Sequence, residues 1–398
     1  MRRSSHSSLR LLIVGIQWPP QTFIQRMINA LIAEGIEVWV ATPQRPSDHR
    51  VAWIWAPSWH HNRWQRWLWG ILLLIKGLLR RKQGPHPLRW PPKRPNDTLH
   101  IRSLFYFLPF WKRSFDVVYF PWIMSAPNYR YLFDQVPTTT SFRGSHINVA
   151  PFNPNRKNQV SNTRLALQQI KAVHSVCKAL SEEGMRHLGV PPSKIRVIYT
   201  GIDTQLFTPP SNRSSANAFR IAWVGNLIWH KSIESALLSI RLLKERGIVP
   251  HLSVIGTGPE LQRMHYTIAD LGLDKEVSYL GKRSPAEVAL LYQRSDAFLL
   301  SSHSEGIANA LVEAMAVGLP VVTTNVGGMP EAVKDGVEGF VVPLLDADAM
   351  AKALYRLAVN PDLRKRMGQA ARQRVLRQFN LSDQGRQFAQ FFRDAAKV

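Results

Sequence analysis

Short apolar runs rich in β-branched residues alternate with helix-period segments along almost the whole chain, and this alternation restricts the fold more than any other feature. Arg10–Ile16 is one such run, followed by a Pro-containing loop. Phe23, Met27, Ile28, Leu31 and Ile32 then recur at helical spacing as far as Gly35, and Ile36–Ala41 is a second β-branched run. Strand, helix and strand in about thirty residues is the βαβ unit of a parallel sheet. Further strands are expected at Val117–Phe120, Thr138–Phe142, Ala172–Val176 and Ile195–Tyr199. Thr208–Asn217 is polar, with Pro209 and Pro210, and reads as a joint. Beyond it the rhythm resumes, with strands at Phe219–Val224, His251–Ile255, Val277–Leu280, Ala297–Leu300, Pro320–Thr323 and Gly339–Val342. Helices are expected at Ile233–Arg246, Glu260–Leu271 and Pro285–Gln293. The expected fold class is α/β: two Rossmann-like, doubly wound domains facing each other across a cleft, where ligands would sit beyond the carboxyl ends of the strands. The expected bounds are 1–208 and 209–378, with a helix over 379–398 packing back on the first domain.

Length and composition agree with two cores. The chain has 398 residues, of which 45% are hydrophobic and 20% charged, which excludes a disordered chain or a coiled coil. The single cysteine, Cys177, excludes an internal disulfide framework and any zinc site built on cysteine pairs.

The net charge of +24 is unevenly placed: residues 1–210 hold 28 basic and 9 acidic side chains, the remainder 23 and 18. No acid occurs from His49 to Asn96, where Arg50, Arg63, Arg66, Lys76, Arg80, Arg81, Lys82, Arg89, Lys93 and Arg94 are joined by Trp53, Trp55, Trp59, Trp64, Trp67, Trp69 and Trp90. A negatively charged partner with a greasy boundary, such as an anionic membrane surface, suits the region 50–94. Nucleic acid is not expected as a partner, because no recognised motif accompanies the charge.

No run reaches the ~18–20 apolar residues of a membrane span; Trp67–Ile75 is too short and is followed by Lys76. Leu9–Ile16 ends in Gln17-Trp18-Pro19-Pro20 instead of a small-residue cleavage site, so it reads as a buried strand and the expected place is cytoplasmic, or peripheral on the inner face of the plasma membrane. Over Trp64–Lys82, residues Trp64, Trp67, Leu68, Ile71, Ile75, Leu78 and Leu79 share one helical face. An interfacial helix and a buried helix of the first domain fit this pattern equally well.

The sharpest local signal is Ser302–Glu313, SHSEGIANALVE. Glu305 lies in a Gly-containing loop after a strand, and Glu313 about one turn into the helix that follows. Helix starts present free N–H groups to phosphate or sugar oxygens, and carboxylates accept from sugar hydroxyls. A plain loop charge and a solvated helix residue are the competing readings. Gly256-Thr257-Gly258-Pro259 fits a tight turn better than a phosphate loop.

In this context the sequence resembles the family 4 retaining glycosyltransferases of the GT-B fold (glycosyl transferases group 1), marked by two Glu separated by seven residues. The similarity extends through the strand–Gly15–loop–helix with Pro19-Pro20 and Thr22-Phe23-Ile24, and through Gly189–Asp203 and Phe207, where Thr200 stands in place of a frequent Asn. It continues through Ala316–Val322 and Gly327-Gly328-Met329-Pro330-Glu331. The resemblance implies transfer of a sugar from a nucleotide-diphosphate sugar, without a metal or other cofactor. Glu305 would hold donor-sugar hydroxyls and Glu313 the ribose. Amides at Gly306 and Ile307 would face the diphosphate or sugar, Gly15 the phosphates, and Lys282 with its neighbours the base. Gly327 and Gly328 would permit close backbone approach.

The phosphate-binding segment departs from the family. Gly225-Asn226-Leu227-Ile228-Trp229-His230-Lys231 keeps Lys231 but has Asn226 where an Arg is usual, so one charge toward the leaving diphosphate is missing. His230 or Arg143 would take it over, or Lys231 and helix N-termini would suffice. Thr140–Ile147 supplies Arg143 and His146 as acceptor-side candidates, the histidine fitting a structural loop role nearly as well. The expected acceptor is a glycan or a lipid-linked acceptor, the latter if the region 50–94 lies on a membrane, as in assembly of cell-surface polysaccharide. An epimerase or phosphorylase on the same shell, or an inactive scaffold, are the alternatives.

Overall fold

A computed structural model of the chain describes residues 8–58, 62–90, 101–211 and 218–397. Trp59, Lys93 and Arg94 and most of the expected joint, 212–217, lie outside the described residues. The chain divides into two compact units, one of Met1–Val176, Leu180–Ile198 and Ser382–Val398, the other of Cys177–Ala179 and Tyr199–Leu381.

Among the described residues the first unit is built on seven parallel strands: β1 (Arg10–Ile13), β2 (Glu37–Thr42), β3 (Ala52–Trp55), β4 (Val117–Phe120), β5 (Thr138–Phe142), β6 (Ala172–Ser175) and β7 (Ile195–Val197). Their order is β3-β2-β1-β4-β5-β6-β7. Leu11, Leu12 and Ile13 are fully buried, as a central parallel strand covered on both faces requires. The helix Thr22–Ala33 turns Ile24, Met27, Ile28 and Leu31 into the core, where Phe388, Phe391 and Phe392 of the C-terminal helix Leu381–Ala396 join them. Each fully buried Phe contributes about 1.5–3 kcal/mol. The C-terminal helix packs closely because Gly385 faces Ala30, and Arg393 Nη2 donates to Glu34 O at 2.8 Å.

β3 is not among the expected strands. It lies in the tryptophan-rich stretch, paired in parallel with β2, and Trp53 Nε1 donates to Thr42 O at 3.0 Å.

Among the described residues the second unit has six parallel strands: β8 (Phe219–Val224), β9 (Pro250–Ile255), β10 (Val277–Gly281), β11 (Ala297–Leu300), β12 (Val321–Thr324) and β13 (Gly339–Val342). Their order is β10-β9-β8-β11-β12-β13. The units divide after Ile198 and not at 208. Ile202 N donates to Phe379 O at 2.8 Å, Phe207 is fully buried, and Arg372 Nη1 donates to Phe207 O and Ala316 O, both at 2.7 Å. These bonds tie Tyr199–Phe207 into the second unit.

In each sheet the winding reverses once, between β1 and β4 in the first and between β8 and β11 in the second. The carboxyl ends of strands at such switch points are where open α/β sheets bind ligands. Among the described residues no helix is long and apolar enough to cross a membrane.

Candidate functional site

The loops after β8 and β11 meet at the switch point of the second sheet. After β8 the chain runs through Gly225 and Asn226 to a turn at Trp229–Lys231, then to Ser232 with φ +48°, where the helix Ile233–Glu245 begins. The loop after β11 holds this turn: His303 N donates to His230 O at 2.7 Å, and Ser301 Oγ lies 2.7 Å from Ser232 O. Across the junction the Lys231 ammonium pairs with the Glu305 carboxylate, which also accepts from Ser302 Oγ at 3.0 Å. The two charged side chains are only 14% and 13% exposed. A cation and a carboxylate in one half-buried crevice suit a ligand that carries both phosphate and hydroxyls.

Two glycine loops brace the junction. Gly327 has φ +50°, and a Cβ there would overlap the Glu305 carbonyl; Gly328 N donates to Gly306 O at 2.8 Å. The close approach expected of these glycines is therefore made to the backbone of the glutamate loop. Gly256-Thr257-Gly258-Pro259 is a turn with a similar duty: Cβ atoms at Gly256 and Gly258 would overlap the carbonyls of Gly225 and Leu227, and Leu227 N donates to Thr257 O at 2.9 Å.

Gly306 and Ile307 are buried in the loop leading to the helix Asn309–Ala316, on which Glu313 is half-buried. Thr200 Oγ1 donates to Asn309 Oδ1 at 2.6 Å at the start of this helix. Burial and the charge of Glu313 push the Tyr292 phenol well above its usual range. Asn226 is exposed, and so is Lys282 just beyond β10. Burial, with repulsion from Lys231 and His303, lowers the His230 imidazole against the pull of Glu305. His303 Nε2 is buried without a hydrogen-bond partner, and Trp229, 56% exposed, stands beside both imidazoles.

In the first unit Gly15, at φ +76°, ends the β1 loop against Ser125 at that sheet's switch point; a Cβ would lie 2.6 Å from Ser125 Oγ. Arg143 packs over the Phe23 ring at 4.5 Å and Nη2 donates to Tyr119 Oη at 3.2 Å. His146 is on the short helix Ser145–Asn148, and its side chain is outside the described part of the structure.

A buried polar chain behind Arg143 went unnoticed in the sequence. Tyr119 Oη lies 2.5 Å from Ser141 Oγ, Ser141 Oγ 2.6 Å from His174 Nδ1, and His174 Nε2 2.9 Å from Ile198 O. A carbonyl only accepts, so Nε2 carries the proton, Nδ1 accepts from Ser141, and Ser141 accepts from Tyr119. The signal available was a lone histidine in an otherwise apolar strand. Among the described residues no group of three or more His, Cys, Asp or Glu side chains is arranged to hold a metal ion.

Residues 20–206 match the family Glycosyltransferase Family 4, and residues 206–374 match Glycosyl transferases group 1. The chain is 33% identical over 212 residues to the putative colanic acid biosynthesis glycosyltransferase WcaL of Salmonella typhimurium, covering 52% of each. It is 34% identical over 209 residues to the amylovoran biosynthesis glycosyltransferase AmsK of Erwinia amylovora, covering 51% of each. It thus spans about half the length of these curated relatives. Among solved structures, sucrose-phosphate synthase from Thermosynechococcus elongatus superposes with a TM-score of 0.75 at 17% identity, over 97% of this chain and 98% of that one. Anabaena Alr3699/HepE in complex with UDP gives a TM-score of 0.69 at 16% identity, over 97% and 100%. These two structures share the fold of paired parallel sheets. With two consecutive family segments running from residue 20 to residue 374, the chain belongs to the family 4 glycosyltransferases of the GT-B fold.

Proposed function

We propose that this protein is a retaining glycosyltransferase that moves a sugar from a nucleotide-diphosphate sugar to a glycan or lipid-linked acceptor in cell-surface polysaccharide or glycolipid synthesis. The observation that carries the reading is the meeting of Lys231 and Glu305 at the switch point of the second sheet. Breaking a sugar–phosphate bond builds negative charge on the departing diphosphate and positive charge on the sugar ring. A lysine held in a half-buried crevice stabilises the first, and a carboxylate beside it binds sugar hydroxyls and offsets the second. Asn226 offers an amide donor without charge, which leaves Lys231 as the principal cation on this loop. Glu313 is assigned to the ribose and Lys282 to the base side; Arg143 and His146 are assigned to the acceptor. The names of the colanic acid and amylovoran relatives favour polysaccharide assembly, and the complexes of HepE with UDP and with UDP-glucose favour a uridine donor.

Thermal shift with a panel of nucleotide sugars tests the donor, since a ligand bound only by the folded state raises its apparent stability. The expected result is a shift with one nucleotide family, reduced in Glu305→Ala; no shift with any nucleotide or nucleotide sugar overturns the reading. Retention is read from the anomeric configuration of the product by NMR. The reading gives no step to a metal ion, so transfer is expected to survive EDTA.

A further inference from the structure

We propose that the helix Arg63–Leu79 is the face on which this protein lies against an anionic lipid bilayer. The inference is independent of glycosyl transfer, because no residue of the second unit takes part in it.

The rotational setting of this helix is fixed from below. Asn62 Oδ1 accepts from Gln65 N at 2.8 Å and starts it. Leu73 and Gly77 turn inward, and Gly77 lies so close to the Trp111 ring that a Cβ would be 2.5 Å from it. At the far end Arg80 Nη1 donates to Trp111 O at 2.6 Å, and Lys112 Nζ donates to Leu78 O at 2.8 Å. These contacts leave the opposite face pointing outward, and that face is made of Trp64, Trp67, Leu68, Ile71, Ile75 and Leu79, from 47% to 81% exposed. An apolar groove of about 550 Å³ between this helix and the helix Ile101–Phe107 continues the surface, since Trp67 and Ile71 line both. Of the two settings the sequence left open, a helix buried on its broad apolar side is not what forms: among the described residues that side is the exposed one. A contiguous apolar surface of this kind marks an interface.

Charge identifies the occupant. Arg63 and Lys76 of the helix, Arg81 and Lys82 just past its end, and Arg89 are exposed, and the sequence has no acid from His49 to Asn96. A second copy would set this positive charge against itself. An anionic bilayer offers negative headgroups to the basic side chains and hydrocarbon to the apolar stripe, with Trp64 and Trp67 at the depth where tryptophan is favoured.

Co-sedimentation of the full chain with vesicles of phosphatidylcholine, alone or mixed with phosphatidylglycerol, tests the proposal. Binding is expected to the mixed vesicles, to weaken with salt, and to fall at least ~10-fold in Leu68→Glu/Ile71→Glu, where two carboxylates enter the apolar stripe. Arg81→Gln/Lys82→Gln should weaken binding several-fold to the anionic vesicles alone. Val249→Glu, at an exposed valine of the second unit, should bind as the wild type does. All three variants change exposed side chains, so unchanged circular dichroism and melting are expected. Three results would each overturn the inference: no binding to mixed vesicles at low salt, undiminished binding by Leu68→Glu/Ile71→Glu, or a self-dimer in sedimentation velocity that this double variant dissolves.

Discussion

Lys231 and Glu305, 74 positions apart in sequence, form an ion pair across the β8/β11 switch point, with Ser302 Oγ as the third member. Removing either charge strands the other in a half-buried site. Glu305→Ala and Lys231→Ala are each expected to cost about 1–3 kcal/mol of stability, below the cost for a fully buried pair because water still reaches both groups. The double variant should recover part of that loss. Transfer should not recover: each single change is expected to lower kcat/KM by about 10²–10³, with the double no better than the worse single. Urea melts and initial rates on the four proteins decide this, and undiminished turnover by Glu305→Ala would refute its role.

Gly327 and Gly247 both have positive φ, at +50° and +83°, but only Gly327 is crowded; around Gly247 nothing lies within 4 Å of a Cβ. Gly247→Ala should therefore cost only the left-handed conformation, about 1–2 kcal/mol. Gly327→Ala also pushes on the Glu305 carbonyl and should cost ~1–3 kcal/mol more. The displaced loop carries Glu305, so the donor KM should rise in Gly327→Ala and stay unchanged in Gly247→Ala. Equal kinetics in the two variants would show that the glycine loop does not position the glutamate.

Glu331 is the acceptor at the start of the helix Lys178–Leu188, taking the N–H groups of Lys178 at 2.9 Å and Ala179 at 2.8 Å, and the Tyr199 hydroxyl at 3.0 Å. Burial and the carboxylate together push the Tyr199 phenol up to about 12, so it remains a donor across the neutral range. Glu331→Ala leaves two backbone donors and a phenol without their acceptor, and a loss of about 1–3 kcal/mol is expected by urea melting. Glu331→Gln keeps one carbonyl acceptor and should lose less. Equal losses would mean that charge, and not hydrogen bonding, holds this helix start.

The sheets were legible in the sequence because buried parallel strands are continuous apolar runs, as in Leu11–Ile13 or Phe298–Leu300, and because glycine and proline punctuate the turns between them. β3 was not, since Ala52-Trp53-Ile54-Trp55 sits in a stretch whose charge and tryptophans suggested a surface. At the site, Glu305 and Lys231 could be named separately, but their pairing depends on β8 and β11 being neighbours across a reversal of winding, which no local pattern encodes. The packing of Gly327 on Glu305 and of Gly256 on Gly225 is hidden for the same reason. The polar chain behind Arg143 draws one side chain from each of β4, β5 and β6 and becomes visible only when those strands are adjacent.

That chain makes a pH prediction. His174 is 1% exposed, packs on Phe388 at 4.6 Å, and is held well below the usual imidazole range, first by burial and then by the charge of Arg143, against the bond to Ile198 O. In the unfolded chain the same imidazole takes a proton near pH 6.5. Below that pH the unfolded state binds a proton that the folded state refuses, so stability is full above about 6.5 and falls as the pH drops toward the depressed folded value. The slope contributed by this residue reaches about 1.4 kcal/mol per pH unit. Protonation at Nδ1 would also turn an acceptor into a donor facing Ser141, and the reversal would run through Tyr119 to Arg143, which has no lone pair to receive it. His174→Gln removes the titration, so its urea stability should lose less than the wild type between pH 8 and pH 5.5. If the two proteins lose stability in parallel over that range, His174 is not the group that sets the acid limit of the first unit.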